Sequence, residues 1–444
     1  MLRLVAESPA AALRDEVTGL LQRLIRVDTT NPPGNETAAA ELLRDYLEAS
    51  GVECELIAKV PERANLVARI RGGDGPSLLF LSHTDVVLAD PAEWSVPPFS
   101  GELRDEQVWG RGALDMKGQV AANAVAIASL AREGFEPGGD LIFAATADEE
   151  VGEGFGLQWL CEAHPDAVRC DFAINEGGGD RIELAGGRAI YEATVAEKMT
   201  APFRLRVRGR SGHASMPGIA DNALVKATRL IERLAEFRPE PQLGPEAGGF
   251  LSVLLGEAPP AAEAVAQTRK VSAPAADLVE ALLAPTFSPT MISASQKRNV
   301  IPALCDVEVD CRLLPGQHPE HVEPLIRAVL GGDVDYELEW TEKAQGGTRS
   351  PLDTALWQAL DEWVAETEPG ARAAPLACAG FTDSHWLRQA FGTVAYGFFP
   401  MSGELPPEVA TSLIHSADER IPVTDLELAV GWLRHAAHAV LGSA

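Results

Sequence analysis

At 444 residues the chain is longer than one hydrophobic core usually organises, and its 46% hydrophobic and 23% charged residues are ordinary for a globular protein, so two folded domains are expected rather than a disordered or fibrous chain. A formal net charge of −28 repels phosphate backbones and anionic lipid, which excludes nucleic acid and a membrane surface as partners. Most of that excess reads as solvated acidic surface, with site carboxylates a small part of it.

The segment Met1–Val27 carries Glu7, Arg14, Asp15, Glu16, Arg23 and Arg26, so it lacks the apolar core of a signal peptide, and no run reaches the roughly 18 apolar residues of a membrane span. The expectation is a cytoplasmic protein. Val17, Leu20, Leu21, Leu24 and Ile25 share one face of a first helix over Arg14–Val27. The turn signal Asn31-Pro32-Pro33-Gly34 precedes a second helix, about Thr37–Ser50, that stops at Gly51. Strands follow at Asn65–Ile70 and Leu78–Ser82, then a helix over Gly118–Arg132 and strands at Asp140–Ala145 and Asp171–Asn175. This alternation predicts an α/β sheet covered on both faces, with ligands at the carboxyl ends of its strands.

From about Pro202 the order becomes strand (Phe203–Arg208), helix (Ile219–Phe237), strand (Thr290–Ser295), strand (Asp306–Leu313), helix (Glu320–Val329) and strand (Val334–Trp340), a ferredoxin-like βαββαβ unit. It is interrupted by a Pro- and Ala-rich insertion of unknown role over Pro239–Pro289, without a clean period. The remainder from about Arg349 returns to helix and strand and ends in a helix over Leu426–Leu441. The domains are expected at 1–197, 198–343 and 344–444, the middle one inserted into the other two parts. Cys54, Cys161, Cys170, Cys305, Cys311 and Cys378 form no Cys-x-x-Cys pair and read as small buried hydrophobes.

The polar residues at strand ends carry the chemistry. Leu78–Leu81 runs into Ser82-His83-Thr84-Asp85, an imidazole with a carboxylate two residues on, the arrangement of a metal ligand and the group that orients it; a surface histidine is the bland alternative. In Gly110-Arg111-Gly112-Ala113-Leu114-Asp115-Met116-Lys117-Gly118, Asp115 is either presented inward or a helix cap. Leu141–Ala147 delivers Asp148-Glu149-Glu150, adjacent carboxylates that repel one another unless a cation is near; an exposed acidic turn is the alternative. Asn175 presents Glu176 before three glycines, and His415 sits far downstream in Thr411-Ser412-Leu413-Ile414-His415-Ser416. Two histidines and three carboxylates suit zinc, with one carboxylate shared between two ions.

In this order the motifs resemble those of the M20 metallopeptidases, a group that includes aminoacylases, acetylornithine deacetylase, succinyl-diaminopimelate desuccinylase and glutamate carboxypeptidase, and the resemblance spans nearly the whole chain. It implies a zinc-peptidase-like α/β/α catalytic domain with the βαββαβ unit as lid and dimerisation domain. It further implies that His83, Asp115 and Glu176 hold one Zn2+ and Asp115, Glu150 and His415 a second, with Co2+ or Mn2+ as alternatives. Glu149 would be the general base and Asp85 would orient His83. In the lid, Arg210-Ser211-Gly212-His213-Ala214-Ser215 resembles the motif whose histidine stabilises the oxyanion, so His213 takes that role and the two domains are expected to close on substrate. Asn299 and Arg312 match substrate-binding positions, Arg312 as a fork for a carboxylate or, alternatively, as a strand-edge ion pair. Ala379-Gly380-Phe381-Thr382-Asp383-Ser384 partly matches a Gly-rich substrate loop, so Gly380 is included, but Phe381 departs from the expected small residue. His164, His318, His321, His385, His435 and His438 carry no role from their spacing, although His385 lies close to that loop.

The resulting expectation is two-metal hydrolysis of an amide bond in N-acyl amino acids or short peptides with a free carboxylate. A biosynthetic deacylase of the acetylornithine or succinyl-diaminopimelate type is the second reading, and a non-catalytic binding homologue the third. A homodimer through the lid is implied for some members and a monomer for others.

Overall fold

A run such as Leu78–Leu81 sends successive side chains to opposite faces of a strand, so four apolar residues in a row are all buried only in a sheet covered on both sides. The computed structural model, which describes residues 9–184 and 187–442, supplies that cover. Of the segment Met1–Val27, residues 1–8 lie outside the described residues. The chain divides into two compact units, Met1–Val195 with Ser350–Leu376 and Thr382–Ala444, and Ala196–Arg349 with Ala377–Phe381.

Among the described residues, the first unit is built on a nine-stranded sheet. Its spatial order is Glu53–Ala58, Ala64–Ile70, Leu141–Thr146, Leu78–His83, Phe172–Asn175, Val394–Gly397, Arg188–Glu197 and Arg372–Cys378, with Gly178–Leu184 paired to Arg188–Glu197. The four central strands are parallel, Leu78–His83 lying between Leu141–Thr146 and Phe172–Asn175, and Val394–Gly397 beyond the latter. Their carboxyl ends therefore open along one edge, and the loops that leave them can converge there. Leu78, Phe80, Leu141 and Phe143 share one core with helices Pro9–Ile25, Lys117–Arg132 and Val423–Leu441. Leu79, Leu81, Ile142 and Ala144 face the other way, packing with Leu157 and Leu160 of Leu157–Ala163 and Leu387 of Ser384–Phe391. The outcome is the expected α/β/α sandwich.

The second unit runs Phe203–Arg208, helix Ala223–Glu236, Thr286–Ser293, Leu304–Leu313, helix Pro319–Leu330 and Tyr336–Trp340, which is the βαββαβ order. Leu304–Leu313 pairs antiparallel with Phe203–Arg208 on one side and Thr286–Ser293 on the other, and Tyr336–Trp340 adds outside Phe203–Arg208. Phe203, Leu205, Val207, Val307 and Val309 bury against Ala227, Leu230, Ile326 and Leu330. The alternate residues face outward as cross-strand ion pairs, Arg204 with Glu308 and Arg206 with Asp306.

The insertion differs from the aperiodic segment expected. It folds into three helices, Pro245–Leu255, Ala261–Thr268 and Ala273–Leu282, around buried Phe250, Leu251 and Val279. None exceeds 11 residues, the shortest window in which a period stands out, and the punctuation is local instead. Gly256 at φ 91° ends the first helix, and the Ser272 hydroxyl caps the third by accepting the N–H of Ala275 at 3.3 Å. The following strand accordingly begins at Thr286, four residues before the expected Thr290.

Candidate metal centre

His83 ends the central strand in register with Thr146, whose strand leads into Asp148, Glu149 and Glu150, and Glu176 directly follows Phe172–Asn175. Asp115 comes from the loop before helix Lys117–Arg132, and His415, at φ 60°, from the turn after helix Pro407–Leu413. These five side chains converge. Asp115 Oδ1 lies 3.2 Å from His83 Nε2, and its Oδ2 lies 3.1 Å from His415 Nε2. Glu176 Oε2 is 3.6 Å from His83 Nε2, and Glu150 Oε2 is 3.2 Å from His415 Nε2. Two ligand atoms each about 2.0–2.1 Å from a tetrahedral ion are separated by about 3.3 Å, and these four contacts bracket that spacing. Within each triad, His83, Asp115, Glu176 and Asp115, Glu150, His415, the ligand atoms all lie within 4.8 Å of one another. Glu150 Oε1 is buried with no hydrogen-bond partner, an orphan a cation would satisfy. The donor set fits a pair of divalent metals sharing Asp115.

The electrostatics agree. Hydrogen bonds that the protonated ring donates to Asp115 and Glu150 push His415 up to about 10. Burial works against the His83 imidazolium, yet Asp115, Asp85 and Glu176 together hold it well above its ordinary value. Glu149 Oε2 lies 3.9 Å from His83 Nε2, and burial, then the charge of Glu176, raises its carboxyl well above the usual carboxylate range. Asp85 stands behind His83, its Oδ1 3.3 Å and its carbonyl oxygen 3.1 Å from Nδ1.

Sequence reasoning missed the residues that hold this centre together. Glu419, fully buried, accepts the N–H groups of Gly112 at 3.0 Å, Leu114 at 2.7 Å and Asp115 at 3.0 Å, and the Arg111 guanidinium at 2.7 Å. Its own carbonyl accepts the N–H of Gly110 at 2.9 Å, so it ties the chain just past His415 to the Asp115 loop. The only signal was an acidic residue four positions after a ligand. Asp383, which the sequence placed only within the Gly-rich loop, stands near this centre: burial pushes it up to about 7, and its Oδ2 accepts the Thr146 hydroxyl at 3.2 Å.

A family model described as peptidase family M20/M25/M40 matches residues 79–439. The chain belongs to that family. As an M20 member it is a hydrolase of a family acting on amide and peptide bonds. A succinyl-diaminopimelate desuccinylase of Delftia acidovorans is 28% identical over 418 residues, 92% of this chain and 94% of that protein. An N-fatty-acyl-amino acid synthase/hydrolase of Xenopus tropicalis is 28% identical over 381 residues, 82% of this chain and 72% of its own. An M20 metallo-carboxypeptidase from Sulfolobus solfataricus shares the fold with TM-score 0.72 at 18% identity, covering 96% of this chain and 99% of that one. No helix among the described residues is long and apolar enough to cross a membrane.

The remaining M20-like positions lie in the second unit. Gly212–His213 pairs with Val300–Ile301 and the N–H of Ala214 donates to the Asn299 carbonyl at 3.0 Å, so His213 and Asn299 share one exposed ribbon. His213 Nδ1 accepts the N–H of Ser215 at 3.2 Å, which assigns the remaining proton to Nε2. The carboxylate fork expected of Arg312 is already filled: Nε and Nη2 each donate to Asp310 at 3.0 Å, and Nη1 to Thr200. Residues two apart on a strand share a face, so Asp310 reaches the guanidinium without strain; Arg312 is flanked by Thr200 and Thr286 on neighbouring strands, so this is an ion pair within the sheet rather than the strand-edge one expected. Gly380 has no positive φ, and a Cβ there would meet only Cys378 Sγ at 3.9 Å, so neither packing nor backbone conformation demands glycine. Phe381 lies close to Gly346, where an added Cβ would come within 3.0 Å of the Phe381 Cβ.

Proposed function

We propose that this M20 protein hydrolyses the amide bond of N-acyl amino acids, using two divalent metals held by His83, Asp115 and Glu176 and by Asp115, Glu150 and His415. The observation that carries the reading is Asp115 itself, whose two oxygens face two different histidines at 3.2 and 3.1 Å. Nitrogen and carboxylate donors suit zinc, with cobalt or manganese as alternatives; when bound, such a pair polarises a carbonyl and acidifies water. Glu149 then accepts the proton of the attacking water and returns it to the leaving amine, a task that suits a carboxyl held above its usual range. Asp85 keeps the His83 ring in one orientation. His213, with its proton on Nε2, is the donor assigned to the tetrahedral oxyanion.

For the substrate, the names of both relatives above describe acylated amino acids, which supports an N-acyl amino acid; the free carboxylate is the expectation carried by the M20 resemblance. The near full-length similarity to a desuccinylase favours a dicarboxylic acyl group as the second reading. The same protein is proposed to pair with a second copy through the Thr286–Ser293 edge of the second unit, where Met291 and Ile292 are 69% and 50% exposed.

The test is Glu149→Gln in metal-loaded protein, with a panel of N-acetyl, N-succinyl and long-chain N-acyl amino acids. Turnover is expected to vanish with both metals still bound. Substantial turnover in the variant would remove Glu149 as the base, and a parent inert to every amide would favour a binding role.

A further inference from the structure

Behind the proposed base runs a buried polar chain that touches no reacting atom. Arg63 is only 4% exposed and immediately precedes the strand Ala64–Ile70. Its Nε donates to Glu36 Oε2 at 2.6 Å, its Nη2 to Asp148 Oδ1 at 3.2 Å, and its Nη1 to the Pro33 carbonyl at 3.3 Å. The guanidinium also lies 4.8 Å from the centre of the Phe155 ring. This placement requires Gly34: a Cβ there would fall 2.3 Å from Arg63 Nε, and its φ is +78°.

Asn31 supplies the next link. Its amide nitrogen has two hydrogens and two carboxylate partners, Asp85 Oδ2 at 2.9 Å and Asp148 Oδ1 at 3.3 Å. Asp148 Oδ2 accepts the N–H of Phe155 at 3.0 Å, which pins the loop from 148 to 155 at both ends. Asp85 accepts the backbone N–H of Glu149 on Oδ1 at 3.1 Å and that of Glu150 on Oδ2 at 3.2 Å. Asp148 itself stands at φ 66°, a left-handed conformation that few non-glycine residues adopt and that persists only where the surroundings over-determine it. Arg63 and Asn31 are those surroundings. Their donors also let Glu36, Asp85 and Asp148 lie buried together, which bare carboxylates resist.

We propose that Arg63 and Asn31 are positioning residues of this hydrolase, setting, through Asp148 and Asp85, the turn that aims Glu149 and Glu150. The inference rests on the reading of Glu149 as the base. Misaiming a base by a fraction of an ångström lowers the rate of the chemical step while leaving substrate binding nearly unchanged.

The experiment compares Arg63→Met, Arg63→Lys and Asn31→Ala with the parent and with Glu149→Gln, all at stoichiometric and then at excess Zn2+ and with bound metal measured. Arg63→Met and Asn31→Ala should lower kcat at least about tenfold with KM within about twofold and two metals bound. Arg63→Lys should recover part of kcat, because it restores the charge without the fork. Glu153→Gln is the control, since that exposed carboxylate lies 3.9 Å from Arg63 Nη1 and should leave kcat unchanged. If removing the arginine prevents folding, Asn31→Ala, which removes no charge, decides alone. An Asn31→Ala kcat within about twofold of the parent, or a loss that excess Zn2+ abolishes, overturns the proposal. If that happens while Glu149→Gln is inert, the base assignment survives; an active Glu149→Gln would instead overturn the assignment underneath.

Discussion

Replacing Glu419 by alanine removes one carboxylate and strands four donors. Three are backbone N–H groups, of Gly112, Leu114 and Asp115, at 2.7–3.0 Å, and the fourth is the buried Arg111 guanidinium at 2.7 Å. Losing one partner of a buried ion pair costs about 3–5 kcal/mol, and each unpaired buried donor about 1–3 kcal/mol more. The cavity left by the side chain admits water that satisfies some of these donors, so the sum is not additive, and about 4–6 kcal/mol is expected. That is a large share of the roughly 5–15 kcal/mol available to a folded domain. Glu419→Gln keeps the shape but turns an N–H2 group toward donors, so about 2–3 kcal/mol is expected. Urea unfolding followed by tryptophan fluorescence measures the loss, and metal analysis after gel filtration measures the consequence. Both metals should be held more weakly, because the Asp115 loop and the chain past His415 are joined through this residue. Glu419→Ala within about 1 kcal/mol of the parent, with both metals retained, would refute the reasoning.

Two further outcomes are expected. Asp115 and Glu150 hold His415 at about 10, and carboxylates hold His83 above its usual value, so both rings carry protons near neutrality that a metal must displace. The proton competes more strongly as pH falls, so Zn2+ titration into chelator-stripped protein should release protons and tighten as pH rises from about 6 to 8; an affinity flat over that range would contradict the shared-ligand geometry. Changing both Met291 and Ile292 to lysine places two charges on the exposed edge of Thr286–Ser293 and should convert a dimer to monomers in sedimentation, and an unchanged dimer would locate the interface elsewhere.

Local patterning made most of the fold legible. Apolar runs bounded by turn signals located three of the four parallel strands to within a residue or two, since a strand buried on both faces has few other sequences open to it, while the short Val394–Gly397 was not placed. The three helices of the insertion escaped because none is long enough to show a period, and the strand after them was placed late for the same reason. At the site, residue types and spacing offered His83, Asp115, Glu149, Glu150, Glu176 and His415 without deciding among their readings; the M20 resemblance supplied the ligand set His83, Asp115, Glu150, Glu176 and His415, whose donors meet. Their supports were not legible, because Arg63, Asn31 and Asp148 meet across separations of 85 and 117 residues, and no spacing rule links them.

The amino-acid order by itself therefore determined which chemistry is on offer and at which strand ends, because side-chain type and alternation are local properties. Only the folded chain decided how each group is used. It turned the two oxygens of Asp115 toward different histidines, filled the Arg312 fork with Asp310, and drew Glu419 across 304 residues to the N–H of Asp115. Such choices depend on which buried donors and acceptors find one another once water is excluded, and that is a property of the packed interior rather than of any stretch of sequence.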